Sequence, residues 1–338
     1  MPLPKMFALL ALVLVAIAPR AQAQHSQQVQ APERGERHER REHDVDDDVV
    51  EPDGDNGVKI DTTIPFATSG GVVDLTLVSG EITVSGWNRG EAHIHVSSDD
   101  VPVRFEHGTD RVLLDTRFGH HSERDEGDVE YVLTVPVGTR VIMHSMSGEL
   151  RSQGTHGEID ARSVSGDVEV DDVVRTATLE SVSGNVMARN IQGDLHARTV
   201  SGDIDADRVA GDVTVASVSG HGAVTNAKSR SLRMETVSGD LTYRGTFDPT
   251  GTYDLHAHSG NVQLEIPADA GATISLDTFS GEFRTDFPMT VQTGGDEPGL
   301  TRHHMDATLG KGGAHITVTT FSGDVELRKL SAATRTHL

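Results

Sequence analysis

The sequence predicts an all-β fold, a β-solenoid with two strands in each coil of 18–21 residues, preceded by a charged spacer expected to be disordered. Three observations carry this expectation. From Met146 onward the units begin at Met146, Thr155, Val164, Val173, Val182, Ile191, Val200, Val209 and Val218, a nine-residue step held without a slip. Within a unit the apolar residues alternate with polar ones, and a period of two belongs to strands. No stretch after the first 23 residues carries a sustained helical period.

The chain opens on an address. Lys5 is followed by thirteen apolar residues, Met6 to Ala18, then Pro19, Arg20 and Ala21-Gln22-Ala23, which fits cleavage after Ala23. Residues 1–23 are therefore read as a signal peptide, since thirteen helical residues reach only about 20 Å of the ~30 Å a membrane core requires. Removing them takes away Lys5 and Arg20 and no acid, so the formal charge of −23 becomes −25. No span is expected in the remainder, and the chain is read as exported, periplasmic or extracellular and envelope-associated.

Residues 24–57 mix a basic run, Arg34 to Arg41, with an acidic one, Asp44 to Asp48, and hold too little apolar surface to offset chain entropy. They are read as a disordered spacer; His38 and His43 stay solvated there. Residues 58–145 contain DLTLVSGEITVSGWN, AHIHVSS, RVLLDTRF and EYVLTVPVGTRVIMHS, alternating strands broken by Gly and Pro. They form either irregular first coils or an antiparallel cap, because an open sheet edge invites polymerisation.

Residues 146–330 are the regular solenoid, and 331–338 a tail. Aligned on Val164, the unit V-S-G-D-V-E-V-D-D places Val164, Gly166, Val168 and Val170 on one side, with a phase break at Asp171 and Asp172. Ser-Gly recurs every eighteen residues, with unlike units between, so one coil holds two unlike strands, stacked about 4.8 Å apart around a thin core. Small inward residues such as Ala161, Ala188, Ala197 and Ala206 suit that core. Later Ser-Gly pairs bring Gly239, Gly260, Gly281 and Gly323, with the coil grown to about 21 residues. With Gly148, Gly166, Gly184, Gly202 and Gly220, these nine glycines define the repeat; each is expected to let the backbone bend or the two sheets approach. Arg175, at the equivalent place on the other side, is expected to mark a wider coil.

These motifs, together with LVSGEITVSGW, SGNVQLEIPADAGATISLDTFSGEF and LGKGGAHITVTTFSGDVELRK, resemble the bacterial putative adhesin family, a β-strand-repeat domain of unknown function. The resemblance spans roughly residues 60–328. It implies a secreted or envelope-associated β-solenoid and supplies no catalytic residues. The sequence departs from the pattern at Arg175, at His221 and in its long charged spacer.

Composition excludes several classes. There is no Cys, hence no disulfide, thiol nucleophile or thiolate metal site. With 52 acidic against 29 basic side chains, no surface is built to neutralise phosphates, so nucleic acid is excluded as a partner. The row Glu149, Asp167, Asn185, Asp203, His221 and Asp240 invites a calcium reading. It lacks the G-G-x-G-x-D spacing of a calcium β-roll, and an exposed acid row is tolerable, since unit charges 4.8 Å apart in water repel by about 0.9 kcal/mol. The row is read as turn-forming hydrogen bonds. His93 with His95, and His256 with His258, each share one side of a strand, and His120-His121 and His303-His304 fall in loops. Two ligands are not a site without a third donor from elsewhere, so no metal is assigned.

The regular units between 146 and 245 hold one aromatic residue, Tyr243, and no G-x-S-x-G elbow, which leaves no constellation for catalysis. The function read from sequence is non-enzymatic: an adhesin-like interaction or scaffold protein, without cofactor, whose partner is an envelope protein or glycan. The alternatives are a calcium-stabilised β-roll and a carbohydrate-active β-helix enzyme.

Overall fold

A computed structural model describes residues 46–50, 57–99, 101–116, 127–292 and 303–330. The expected signal peptide, the cleavage point after Ala23, most of the spacer and the tail lie outside the described residues. The chain divides into residues 1–44 and 45–338, and every described residue belongs to the second unit. Every described helix-or-strand element is a strand, and the fold is the expected all-β solenoid.

Seven strands precede the regular coils: β1 (Asp46–Val50), β2 (Val58–Pro65), β3 (Val72–Trp87), β4 (Glu91–Ser98), β5 (Val103–His107), β6 (Arg111–Asp115) and β7 (Val129–Pro136). The long β8 (Arg140–Gln153) starts two parallel ladders, one from each half. Its first half leads to β9 (Ile159–Ser163), β11 (Ala177–Ser181), β13 (Leu195–Ser201), β15 (Val213–Ser219), β17 (Ser231–Ser238) and β19 (Thr252–Ser259). Its second half leads to β10 (Val168–Val173), β12 (Val186–Ile191), β14 (Ile204–Val209), β16 (Gly222–Ala227), β18 (Leu241–Gly245) and β20 (Val262–Ile266). Equivalent residues pair across coils, as in Ile159 with Ala177 and Ala177 with Leu195, so like side chains stack and one continuous apolar core runs between the ladders.

Two local expectations need correction. The strand does not begin at Val164: Ser163 points inward and is buried while Val164 points out, because the chain turns over residues 164–167 between β9 and β10. Nor is the coil wider at Arg175. Ala177 keeps the eighteen-residue register to Ile159 and to Leu195, since the Arg175 side chain leaves into solvent.

The phase break at Asp171 and Asp172 has a backbone cause. Gly154, Asp172, Asn190, Arg208 and Asn226, eighteen residues apart, all hold φ between 54° and 65°. This left-handed conformation suits Gly, Asn and Asp and costs other residues about 1–2 kcal/mol. Arg208 is the misfit of the column; its contacts are a surface ion pair with Asp207 and an exposed hydrogen bond from its Nε to Asn190 Oδ1 at 2.6 Å, each of small worth. Arg208→Asn is therefore expected to stabilise the chain by about 1 kcal/mol in urea unfolding; a loss of stability would mean that these two contacts outweigh the backbone term.

Toward the C-terminus the coil lengthens. Val213 faces Leu232, and Leu232 faces Tyr253, so the step grows from eighteen to nineteen and then twenty-one. Larger side chains occupy the widened interior: Tyr243 and Tyr253 are fully buried, with Phe247 stacked 5.4 Å from Tyr243 and tilted against Tyr253 at 4.4 Å. The Tyr253 hydroxyl donates to the Ser229 carbonyl at 2.7 Å and accepts the Asp248 N–H at 2.7 Å. The extra loop residues thus supply partners for phenols the core could not otherwise hold.

The last coils do not stack in chain order. The remaining strands are β21 (Ala272–Ser280), β22 (Phe283–Thr285), β23 (Met289–Gln292), β24 (His303–Leu309), β25 (Ala314–Ser322) and β26 (Val325–Lys329). β25 lies between β19 and β21, with Ile316 opposite both Tyr253 and Ile274, and β26 likewise joins β20 to β22. The coil of residues 314–329 is therefore inserted between two coils that precede it. Antiparallel β24 covers the other edge of β21, and β23 pairs with β24.

At the other end β3 is a coil parallel to β8 along both halves. Beyond it β7, β4 and β2 on one ladder, and β6, β5 and β1 on the other, close the stack, with β4, β2, β5 and β1 added antiparallel. Asp46–Val50, expected to be spacer, thus pairs with β5; edge pairing uses backbone groups, which an acidic run retains. Lys59, Asp61 and Pro65 blunt the outer strand β2.

Candidate functional site

Each x-Ser-Gly-acid segment turns one corner of the coil, and stacking lines the corners up. In spatial order the glycines run Gly80, Gly148, Gly166, Gly184, Gly202, Gly220, Gly239, Gly260, Gly323 and Gly281. A methyl group on Gly184 would overlap the Gly166 carbonyl oxygen and lie 2.5 Å from its carbonyl carbon. The close approach is thus between successive coils, rather than between the two sheets. The buried hydroxyls three residues earlier hold it: Ser163 donates to the Gly148 carbonyl at 3.2 Å, Ser181 to Gly166 at 3.1 Å and Thr199 to Gly184 at 3.1 Å.

The residue after each glycine forms a second row. Asp167 Oδ1 accepts the Asn185 N–H at 2.7 Å, Asn185 Oδ1 that of Asp203 at 3.0 Å, and Asp203 Oδ1 that of His221 at 2.7 Å. His221 Nδ1 accepts the Asp240 N–H at 3.1 Å, and the chain of bonds continues through Asn261, Asp324 and Glu282 across the inserted coil. The acid row is a hydrogen-bonded ladder between coils. That explains why Asn and His can replace Asp in it: the role requires an acceptor, and a calcium ladder would require charge.

Along this corner the residue before each Ser-Gly lies on the outward side. Met146 and Val237 are exposed and Val164, Val182, Val200 and Val218 half-buried, a one-residue-wide apolar ridge which His258, Phe321 and Phe279 continue. Met146, Phe321 and Phe279 are 58%, 49% and 43% exposed. The Phe279 and Phe321 rings stack at 4.8 Å, and His258 stacks on Phe321 at 5.1 Å. Phe321 is thus sandwiched between His258 and Phe279. Sequence reading missed this ridge because alternation from Val164 assigned these residues to the core; the signal available was the apolar residue ahead of every Ser-Gly from Met146 onward but that at Ser259.

At the N-terminal end of the corner lies an open groove of about 750 Å³, lined by Glu81, Asp99, Asp128, Glu130, Glu149 and Asp167 among others. Arg151 bridges Glu81, Glu149 and Glu169 beside it.

The histidines separate into distinct settings. His304 sits between Asp277, 2.9 Å from its Nδ1, and Asp306, 3.3 Å from its Nε2. The Asp277 hydrogen bond, helped by Asp306, raises its pKa above the ordinary imidazole value. His93 and His95 both approach Asp61, and the His93 hydrogen bond holds the Asp61 carboxyl below its usual range. His256 and His258 lie on the outward side of β19, with Ala257 buried between them, and His258 stacks on Phe321. His38, His43 and His120-His121 lie outside the described residues. Among the described residues no group of three or more His, Asp or Glu side chains is placed to hold a metal ion, and no helix is long and apolar enough to cross a membrane.

A family model described as Toastrack DUF4097 matches residues 116–328. A solved structure of a "putative cell adhesion protein" from Clostridium sporogenes is 11% identical, covers 84% of this chain and 98% of its own, and superposes with a TM-score of 0.22. A "putative adhesin" from Bacteroides fragilis is 12% identical, covers 83% of this chain and 100% of its own, and has a TM-score of 0.39. No curated protein matches the chain.

Proposed function

This chain belongs to the Toastrack DUF4097 family, and from that premise we propose that it is an exported, envelope-associated, non-enzymatic solenoid that works as an adhesin-like interaction or scaffold protein, engaging its partner along the Ser-Gly corner. The observation that supports this reading is the outward apolar ridge, ending in the Phe321–Phe279 ladder and flanked by rows of serine hydroxyls and carboxylates. A chain of net charge −23 has ample polar residues to place there. Apolar side chains repeated on a solvated corner act as anchors for a partner, and the polar rows beside them set its register. The charge keeps molecules apart in solution, so the corner stays free for a different envelope protein or a glycan.

The test compares the full chain with a ridge variant, Val182→Ser/Val200→Ser/Phe279→Ser/Phe321→Ser, for binding to envelope proteins and to envelope glycans. The variant is expected to bind at least tenfold more weakly with an unchanged melting temperature. Equal binding by the variant would remove the corner from the proposal, and no binding by the wild type to either class would remove the adhesin-like role. Calcium added to the chelator-treated chain is expected to leave its melting temperature unchanged, because the ladder carboxylates already accept backbone N–H groups; a large rise would restore the calcium β-roll.

A further inference from the structure

His93 and His95 lie on the outward side of β4, and the fold brings them the third donor that their spacing alone does not supply. Asp61 of β2 stands directly opposite His95 in the antiparallel register, with His93 on the diagonal. Asp61 Oδ1 is 3.0 Å from His93 Nε2, and Oδ2 is 3.6 Å from His95 Nδ1. The three side chains are 68%, 39% and 41% exposed, so their torsions are free to adjust. On the other side of β4 the partners are Thr134 for His93 and Val132 for His95, neither of which is charged.

We propose that Asp61, His93 and His95 form a binding site for a divalent transition-metal ion, with zinc as the reference case. Zinc bound at roughly 2.0–2.2 Å to nitrogen and oxygen ligands holds its donor atoms about 3.3 Å apart. The two Asp61–imidazole separations lie on either side of that value. As they stand His93 hydrogen-bonds to Asp61, His95 lies 3.6 Å from it, and the three groups are not placed to hold a metal ion; the metal requires the two exposed imidazoles to turn. Two imidazoles and one carboxylate, with no thiolate, suit zinc, nickel or cobalt over calcium and magnesium, which prefer all-oxygen shells. Three protein ligands leave the remaining coordination position open to solvent. The ion would tie the outer strand β2 to β4 through side chains and so reinforce the cap that closes the solenoid.

The site stands apart from the Ser-Gly corner and does not depend on its role. The test is zinc titration of the chelator-treated full chain by calorimetry, beside His93→Gln/His95→Gln and Asp61→Asn. The wild type is expected to bind one more equivalent of zinc than the double variant. Asp61→Asn should weaken that equivalent by at least the roughly 10–100-fold that loss of an outer-shell partner produces. Zinc should also raise the melting temperature of the wild type and leave that of the double variant where it was, while calcium moves neither. The chain has 18 histidines, so the comparison between variants carries the result and total zinc uptake does not. Equal stoichiometry and affinity in wild type and double variant, with circular dichroism showing both folded, would overturn the proposal.

Discussion

Gly184→Ala is expected to cost about 3 kcal/mol, the upper end of overpacking penalties, and to lower the melting temperature by roughly 6–12 °C. The added methyl group meets backbone on the neighbouring coil, the Gly166 carbonyl, rather than the yielding end of a side chain. The two coils can separate only by stretching the hydrogen bonds from Ser181 to Gly166 and from Ser183 N to the Val164 carbonyl, at 3.1 and 2.9 Å. Ser183→Ala, one residue away and exposed, is the control and should stay within about 0.5 kcal/mol. Thermal unfolding followed by circular dichroism checks both. A melting temperature for Gly184→Ala within a degree of the wild type would mean that the corner yields easily, and that the glycine column is not set by stacking distance.

Ile316→Asp should be more damaging still, on the order of 5 kcal/mol. A carboxyl at a fully buried apolar position is either desolvated while charged or forced to take up a proton, and such burial shifts a pKa by about 3–5 units at 1.36 kcal/mol each. The penalty is relieved in acid: the folded-state pKa of the new carboxyl is raised, so the loss is complete above that value and fades as pH falls toward the unfolded carboxyl's own. Its location is as informative as its size. Ile316 is hydrogen-bonded between the coils of residues 252–266 and 272–285, so hydrogen exchange should lose protection on both sides at once. Stacking in chain order would instead leave β19 paired to β21 and protected, and that result would refute the inserted coil.

The repeating interior was legible because stacking makes its chemistry periodic. The inward Ile, Leu, Val and Ala of each ladder recur at eighteen residues, and the glycines that define the corner do the same. The phase break at Asp171 and Asp172 was also readable, although the left-handed backbone behind it was not, since Asp, Asn and Arg share no pattern apart from their place. At Val164 alternation misled: it continues through V-S-G-D in the sequence, whereas the chain turns there, burying Ser163 and leaving the valine half-buried on the outward side. The ridge that forms the candidate site follows from that reversal. Sequence reasoning found its flanking Ser and Asp rows and assigned the ridge itself to the core.

What the sequence determined by itself is the coil: its length, its two unlike strands, its glycine corner and the all-β class. These are short-range consequences of side-chain period and of where glycine is required. What only the tertiary structure decided is which coil lies beside which, and which separated residues meet. The segment TFSGE at 278–282 and the segment TFSGD at 320–324 present the same register to a neighbour, so pairing preference alone does not fix their order. The inserted position of the last coil, and the meeting of Asp61 with His93 and His95 across two strands, come from the whole chain satisfying its backbone hydrogen bonds together, a long-range condition that no local period records.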